Sequence, residues 1–82
     1  MSKVTVADSV KFPAAELFGQ RLKDRRRALG LTQTQLAEQT GSTAAYVSQV
    51  ERGQANPTLE LMAKFAEVIG MEVWQMLQAD VD

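Results

Sequence analysis

The chain has 82 residues, 45% of them hydrophobic, and a formal net charge of -1, which fits one small domain with a single core. It contains no cysteine and no histidine, so disulfides, thiolate chemistry and histidine-based acid–base or metal chemistry are excluded. No apolar run approaches the ~20 residues of a membrane span and no signal-peptide pattern opens the chain, which predicts a cytoplasmic protein that does not contact membranes.

The charges are distributed unevenly along the chain. Residues 1–30 contain seven basic and three acidic side chains, whereas residues 31–82 contain two basic and seven acidic ones. This asymmetry is compatible with one face that meets phosphates, although a solvated basic helix would give the same pattern.

The two ends of the chain differ in pattern from its middle. Residues 1–12 are predicted to form a mobile arm or, from the alternation of Val4 and Val6, a short strand. Residues 13–78 have a helical pattern throughout and are predicted to form the folded domain. Residues 79–82 are predicted to be a frayed tail.

The first two helices have clear start and stop signals. Pro13 suits the first turn of a helix, where its missing N–H has no cost, and Gly30 ends that helix. Thr32 begins the second helix as an N-cap, with Gln35 completing a capping box, and Gly41 ends it after about two turns.

Three more helices are predicted after Gly41. Ser42 or Thr43 caps a third helix, and the Asn56-Pro57 pair predicts the N-cap and first residue of a fourth. Residues 73–77 are predicted to form a short fifth helix. Because the connections are short, consecutive helices must be neighbours, which predicts an all-α fold, a compact five-helix bundle.

The third helix has two different sides. Val47 and Val50 share one face and are predicted to anchor the helix to the core, while Ala37 allows the second helix to cross it closely. At 100° per residue the opposite, exposed side consists of small or polar side chains: Ala45, Ser48, Gln49 and Arg52, with Tyr46 on one flank. A helix with such a face fits the major groove of duplex DNA, about 12 Å wide.

With these features the sequence resembles the Cro/repressor (XRE-type) family of helix-turn-helix transcriptional regulators. The resemblance covers roughly residues 14–77, and Thr40 departs from it where an apolar residue is more usual. It implies a lambda-repressor-like bundle in which the second and third helices form the helix-turn-helix. The segments that carry the resemblance are Leu29–Gly41 with its L-T-Q-x-x-L-A signature, Val47–Gly53 with its E-R-G signature, Asn56–Leu59, and Val73-Trp74.

The resemblance implies a double-stranded DNA operator as partner. Gln33 would bond a phosphate at the start of the second helix, and Tyr46 and Arg52 are placed for phosphates as well. Gln49 could bond adenine in bidentate fashion, whereas Ala44 and Ala45 would meet thymine methyl groups or permit close approach. The positions implied to read bases are Thr43, Ala44, Ala45, Ser48 and Gln49. For Thr43, Ser48 and Tyr46, contact with a base or with a phosphate stays open.

Three consecutive arginines point in different directions on the first helix, so they cannot all meet DNA. In the family the position of Arg26 pairs with a glutamate at the position of Glu51, which implies a structural salt bridge between the first and third helices. Arg25 is a candidate for phosphate contact, as are Arg21 and Lys23.

Several apolar side chains near the C-terminus exceed what so small a core can bury. By similarity to related regulators, some of them are expected to form a two-fold homodimer contact. Such a dimer would hold two recognition helices ~34 Å apart, matching half-sites about 10 bp apart in an inverted repeat. The side chains in question are Met71, Trp74, Met76 and Leu77.

Two other classes of function compete with DNA binding. An antitoxin-type interaction module would use this same fold to bind a partner protein such as a toxin and to regulate its own operon. An enzyme is disfavoured, because no recognisable catalytic pair, metal cluster, glycine-rich phosphate loop or small-molecule pocket is evident in the pattern. Neither a metal nor a cofactor is expected.

Overall fold

The computed structural model describes residues 12–79, which form five helices and no strand. The predicted all-α, five-helix fold is therefore confirmed. Nearly all of the predicted arm, including the Val4–Val6 alternation, and the last three residues of the predicted tail lie outside the described residues. None of the described helices combines the length and apolar character needed to cross a membrane. The helices are α1 (Pro13–Ala28), α2 (Gln33–Thr40), α3 (Ala44–Glu51), α4 (Leu59–Ile69) and α5 (Val73–Met76).

The caps of α2 and α3 follow from side-chain chemistry. The Thr32 hydroxyl accepts the Gln35 N–H at 3.0 Å, and the Gln35 side chain accepts the Thr32 N–H at 2.8 Å, which confirms the predicted capping box. Gly41 ends α2 with a φ of 72°, a left-handed conformation that favours glycine. Of the two candidates for the next N-cap, Thr43 takes the role by accepting the Tyr46 N–H at 3.1 Å.

The start of α4 was predicted wrongly. Asn56-Pro57 lies in the connection between the third and fourth helices, and the fourth helix begins at Leu59 with Thr58 as its N-cap. The Thr58 hydroxyl accepts the Leu61 N–H at 3.1 Å, which satisfies a donor of the first turn. Pro57 is therefore two residues before the helix rather than its first residue.

The core lies where all five helices meet. Phe18 and Phe65 bring their rings into a tilted contact with centroids 6.3 Å apart. Thr40, the polar departure from the family pattern, is also buried, but its hydroxyl donates to the Leu36 carbonyl at 2.8 Å and is therefore satisfied. The buried apolar residues are Phe18, Leu22, Leu36, Ala37, Val47, Val50, Phe65, Ala66, Ile69 and Met76.

The closest crossing of α1 and α3 depends on Gly19. A Cβ atom at this position would lie 2.1 Å from the Val50 carbonyl oxygen and 3.0 Å from that of Glu51. Only glycine therefore allows the backbone of α1 to approach the C-terminal turn of α3 at this distance. The sequence reasoning assigned a close approach to Ala37 and missed this second one, because a glycine in mid-helix has no local signal of its packing role.

Candidate nucleic-acid interface

The orientation of α3 defines the candidate surface. Val47 and Val50 are 0% and 1% exposed, so the helix is fixed to the core along one side. Ala45, Gln49 and Arg52 are exposed on the other side. Two further predicted residues of this surface, Ser48 and Tyr46, are half-buried. We call these five side chains the outward stripe of α3. The outward stripe is therefore not packed into the protein's own interior.

The beginning of α3 supplies the remaining predicted readers. Thr43 is exposed and Ala44 is half-buried. The hydroxyl oxygen of Thr43 already accepts the Tyr46 N–H, but its own O–H is still able to donate. Thr43 can therefore cap the helix and contact a ligand at the same time.

Beneath this surface, Arg26 and Glu51 form the salt bridge that the family resemblance implies. Arg26 Nε donates to Glu51 Oε2 at 2.6 Å and Arg26 Nη2 donates to Glu51 Oε1 at 3.0 Å, a bidentate pair. The Arg26 and Glu51 side chains are only 10% and 2% exposed. A third donor of Arg26, Nη1, bonds the Leu31 carbonyl at 2.7 Å, so α1, α3 and the start of the α1–α2 connection are joined.

Gln33 has a contact that sequence reasoning missed. Its side-chain Nε2 donates to Glu51 Oε1 at 3.0 Å, which brings the first residue of α2 to the salt bridge. The predicted role for Gln33 was a phosphate contact, and one N–H of its amide is now seen to be used within the protein. No spacing rule connects residues 33 and 51, so only the tertiary structure could reveal the bond.

Arg25 makes a hydrogen bond within the protein. Its Nε donates to the Ile69 carbonyl at 3.0 Å, and its guanidinium lies beside Gly70 at the C-terminal end of α4. A cation at this end of a helix interacts favourably with the exposed carbonyl groups. The structure therefore does not bring Arg25 together with the α3 residues, and this placement does not support a phosphate contact. Arg21 is likewise directed toward the C-terminal segment, where Nη2 donates to the Gln78 carbonyl at 2.8 Å.

The predicted dimer residues separate into two groups. Trp74 is 62% exposed and Leu77 is 37% exposed, with Met71 half-buried. Met76 is 0% exposed, so the prediction that it contacts a partner chain is corrected: it belongs to the core. As the one buried residue of the four-residue helix α5, Met76 holds that helix against the rest of the bundle.

Known proteins resemble this chain both in sequence and in structure. Residues 22–73 match the family model described as "Helix-turn-helix". The transcriptional regulator SinR of Bacillus subtilis is 34% identical over 62 residues, which are 74% of this chain and 56% of SinR. The chain thus spans about half the length of this relative.

Crystal structures of other proteins share the fold. The restriction-modification controller protein C.AhdI from Aeromonas hydrophila superposes with a TM-score of 0.73 at 38% identity, covering 79% of this chain and 98% of that one. The biofilm regulator SinR, solved in complex with DNA, superposes with a TM-score of 0.69 at 34% identity, covering 74% and 98%.

Proposed function

We propose, from the premise that this chain belongs to the XRE-type helix-turn-helix family, that it is a sequence-specific transcriptional regulator that binds duplex DNA. In this proposal α3 enters the major groove and the protein acts as a homodimer on an inverted repeat. Its location is then the cytoplasm, where DNA operators are accessible.

The observation that carries the proposal is that α3 is buried along one side and exposed along the other. Two fully buried valines fix the helix, so the positions of its outward side chains are set by the core and not by the ligand. The outward side has no large apolar group, and an α-helix of this kind fits the width and polarity of the major groove.

Few side chains of this stripe can distinguish bases by hydrogen bonding. Gln49 has the donor and acceptor pair that matches N6 and N7 of adenine, and Ser48 can bond either kind of group. Ala44 and Ala45 offer only methyl groups, which suit thymine methyls or simple close approach. Base preference therefore rests on few contacts together with the shape and deformability of the DNA.

Phosphate contacts are proposed on both sides of the groove. Gln33 lies at the start of α2, where backbone N–H groups favour anions. Arg52, which follows α3, and the Tyr46 hydroxyl are proposed to contact the backbone at the other edge. These contacts position the protein without selecting a sequence.

The exposed edge of α5 supports the homodimer. Trp74 and Leu77 are the large apolar side chains that α5 and its C-cap leave in water, and an isologous contact would cover both in each protomer. Such a dimer would hold the two α3 helices ~34 Å apart, one turn of DNA.

Selection of binding sites from random duplex DNA at a stated salt concentration tests this function. We expect an enriched inverted repeat with half-site centres about 10 bp apart. Gln49→Ala should relax preference at one base pair of each half-site by about 1–3 kcal/mol, because one bidentate contact is lost. Gln39→Ala, an exposed glutamine on α2, is the matched control and should select the parental site. The absence of any enriched sequence, or unchanged selection by Gln49→Ala, would contradict the proposal.

A further inference from the structure

We infer that Glu51 positions the Gln33 amide for a DNA phosphate, so that a residue buried beneath the surface determines a contact at the surface. The inference rests on the proposed function and adds to it a residue that does not touch DNA. It is carried by the bond from Gln33 Nε2 to Glu51 Oε1 and by the chemistry of the two groups.

A carboxylate fixes which end of an amide faces it. Ionised Glu51 can only accept hydrogen bonds, whereas the Gln33 amide has a donating NH2 end and an accepting oxygen. The NH2 end must therefore face Glu51, as it does at 3.0 Å. Since the amide is planar, holding one N–H restricts the directions in which the other can point.

Glu51 is itself held firmly before any ligand arrives. Both of its oxygens accept bonds from Arg26, at 2.6 and 3.0 Å, and its side chain is 2% exposed. Water has little access to compete for the carboxylate. The Arg26–Glu51 pair thus provides Gln33 with a rigid acceptor, in contrast to the mobile partners that an exposed glutamine finds in solvent.

The remaining donors at the start of α2 complete the phosphate contact. Within the first turn, the N–H groups of Gln35 and Leu36 are bonded to Thr32, to its hydroxyl at 3.0 Å and its carbonyl at 3.0 Å. This leaves the backbone N–H groups of Gln33 and Thr34, which point out of the helix start. Together with the second N–H of the Gln33 amide, they form a group of donors for one phosphate, ordered in advance of binding.

A double-mutant cycle in the full chain tests the coupling. Gln33→Ala is measured in the parent and in a variant in which Arg26→Met and Glu51→Met replace the ion pair by apolar side chains, a change that folded proteins tolerate. Affinity for the selected operator is measured by fluorescence anisotropy, with the fold of each variant checked by thermal unfolding. We expect Gln33→Ala to weaken binding about tenfold in the parent and less than about twofold in the apolar variant.

The outcomes separate this inference from the proposed function. An equal loss in both backgrounds, or no loss in the parent, would overturn the positioning role while leaving DNA binding intact. A parent chain that selects no duplex at all would overturn the proposed function and this inference with it. Gln39→Ala is the control and should bind as the parent does in either background.

A measurement on the free parent protein covers the case in which the apolar variant does not fold. The side-chain NH2 group of Gln33 should have a 15N order parameter close to that of the rigid backbone, about 0.85. The NH2 group of Gln39, exposed on the same helix, should be far more mobile. Equal mobility of the two side chains would show that Glu51 does not hold Gln33 and would overturn the inference.

Discussion

The outward face of α3 and the exposed edge of α5 both depend on buried anchors, but they present opposite chemistry. On α3, Val47 and Val50 are buried and the exposed side is small or polar. On α5, Met76 is buried and Trp74 is 62% exposed. A small polar face suits the hydrated, charged groove of DNA, whereas an exposed indole suits another protein surface. Under the proposed function, one small bundle would use α3 for DNA and the edge of α5 for a second protomer.

The two regions are also supported differently. The α3 helix is held to α1 by the close approach at Gly19 and by the Arg26–Glu51 pair. The α5 helix has four residues and one fully buried side chain. Changes beneath α3 should therefore alter both stability and DNA affinity. Changes at the α5 edge should alter dimerisation, and operator affinity only through it, without altering the stability of the protomer.

The largest effect is expected from Gly19→Ala, which disrupts the close packing of α1 against α3. The added methyl group would overlap the Val50 carbonyl oxygen, so the helices must separate, at a cost of about 3 kcal/mol in free energy of unfolding. Urea denaturation measures the loss, and operator affinity should fall with it because α3 moves.

Gly30→Ala provides the control for that substitution. Gly30 has a φ of 75°, and a methyl group added there would meet no atom within 4 Å, so only the left-handed conformation is penalised, by about 1 kcal/mol. If both variants lost the same stability, the close helix crossing would not be the reason for glycine at position 19.

A second prediction concerns the α5 edge. Trp74→Ala should weaken dimerisation by about 2 kcal/mol, roughly 30-fold, without lowering the stability of the protomer, since the indole is mostly in solvent. Analytical ultracentrifugation measures the dissociation constant. Leu29→Ala removes another exposed apolar side chain, at the end of α1, and should leave it unchanged. A monomeric parent chain would contradict the dimer and favour a different partner at this edge, such as a toxin.

The smallest effect is expected at Arg25, which joins α1 to the C-terminal end of α4. Arg25→Ala should cost about 1 kcal/mol in stability, because the Ile69 carbonyl loses its donor, and should leave operator affinity unchanged. Thermal unfolding and a binding titration give the two values. Arg27→Ala, an exposed neighbour on the same helix, should change neither. A uniform loss of affinity for all DNA sequences would restore Arg25 as a phosphate contact.

Local signals predicted much of this molecule correctly. The capping box at Thr32, the stop at Gly41 and the inward valines of α3 depend on neighbours within a few residues, so their spacing could be interpreted directly. The start of α4 was misplaced by two residues because an Asn-Pro pair is typical of a helix start, whereas the cap actually used is Thr58, whose hydroxyl accepts the Leu61 N–H.

The sequence alone determined the five helices, the outward stripe of α3 and the family to which the chain belongs, since periodicity, caps and glycine positions are encoded locally. Tertiary structure decided the rest. In the folded chain Met76 is buried in the core, and Arg25 bonds the C-terminal end of α4. Tertiary structure also brought Gln33 within 3.0 Å of Glu51. These contacts join residues far apart in the chain, and their geometry depends on how helices cross, which no local pattern specifies.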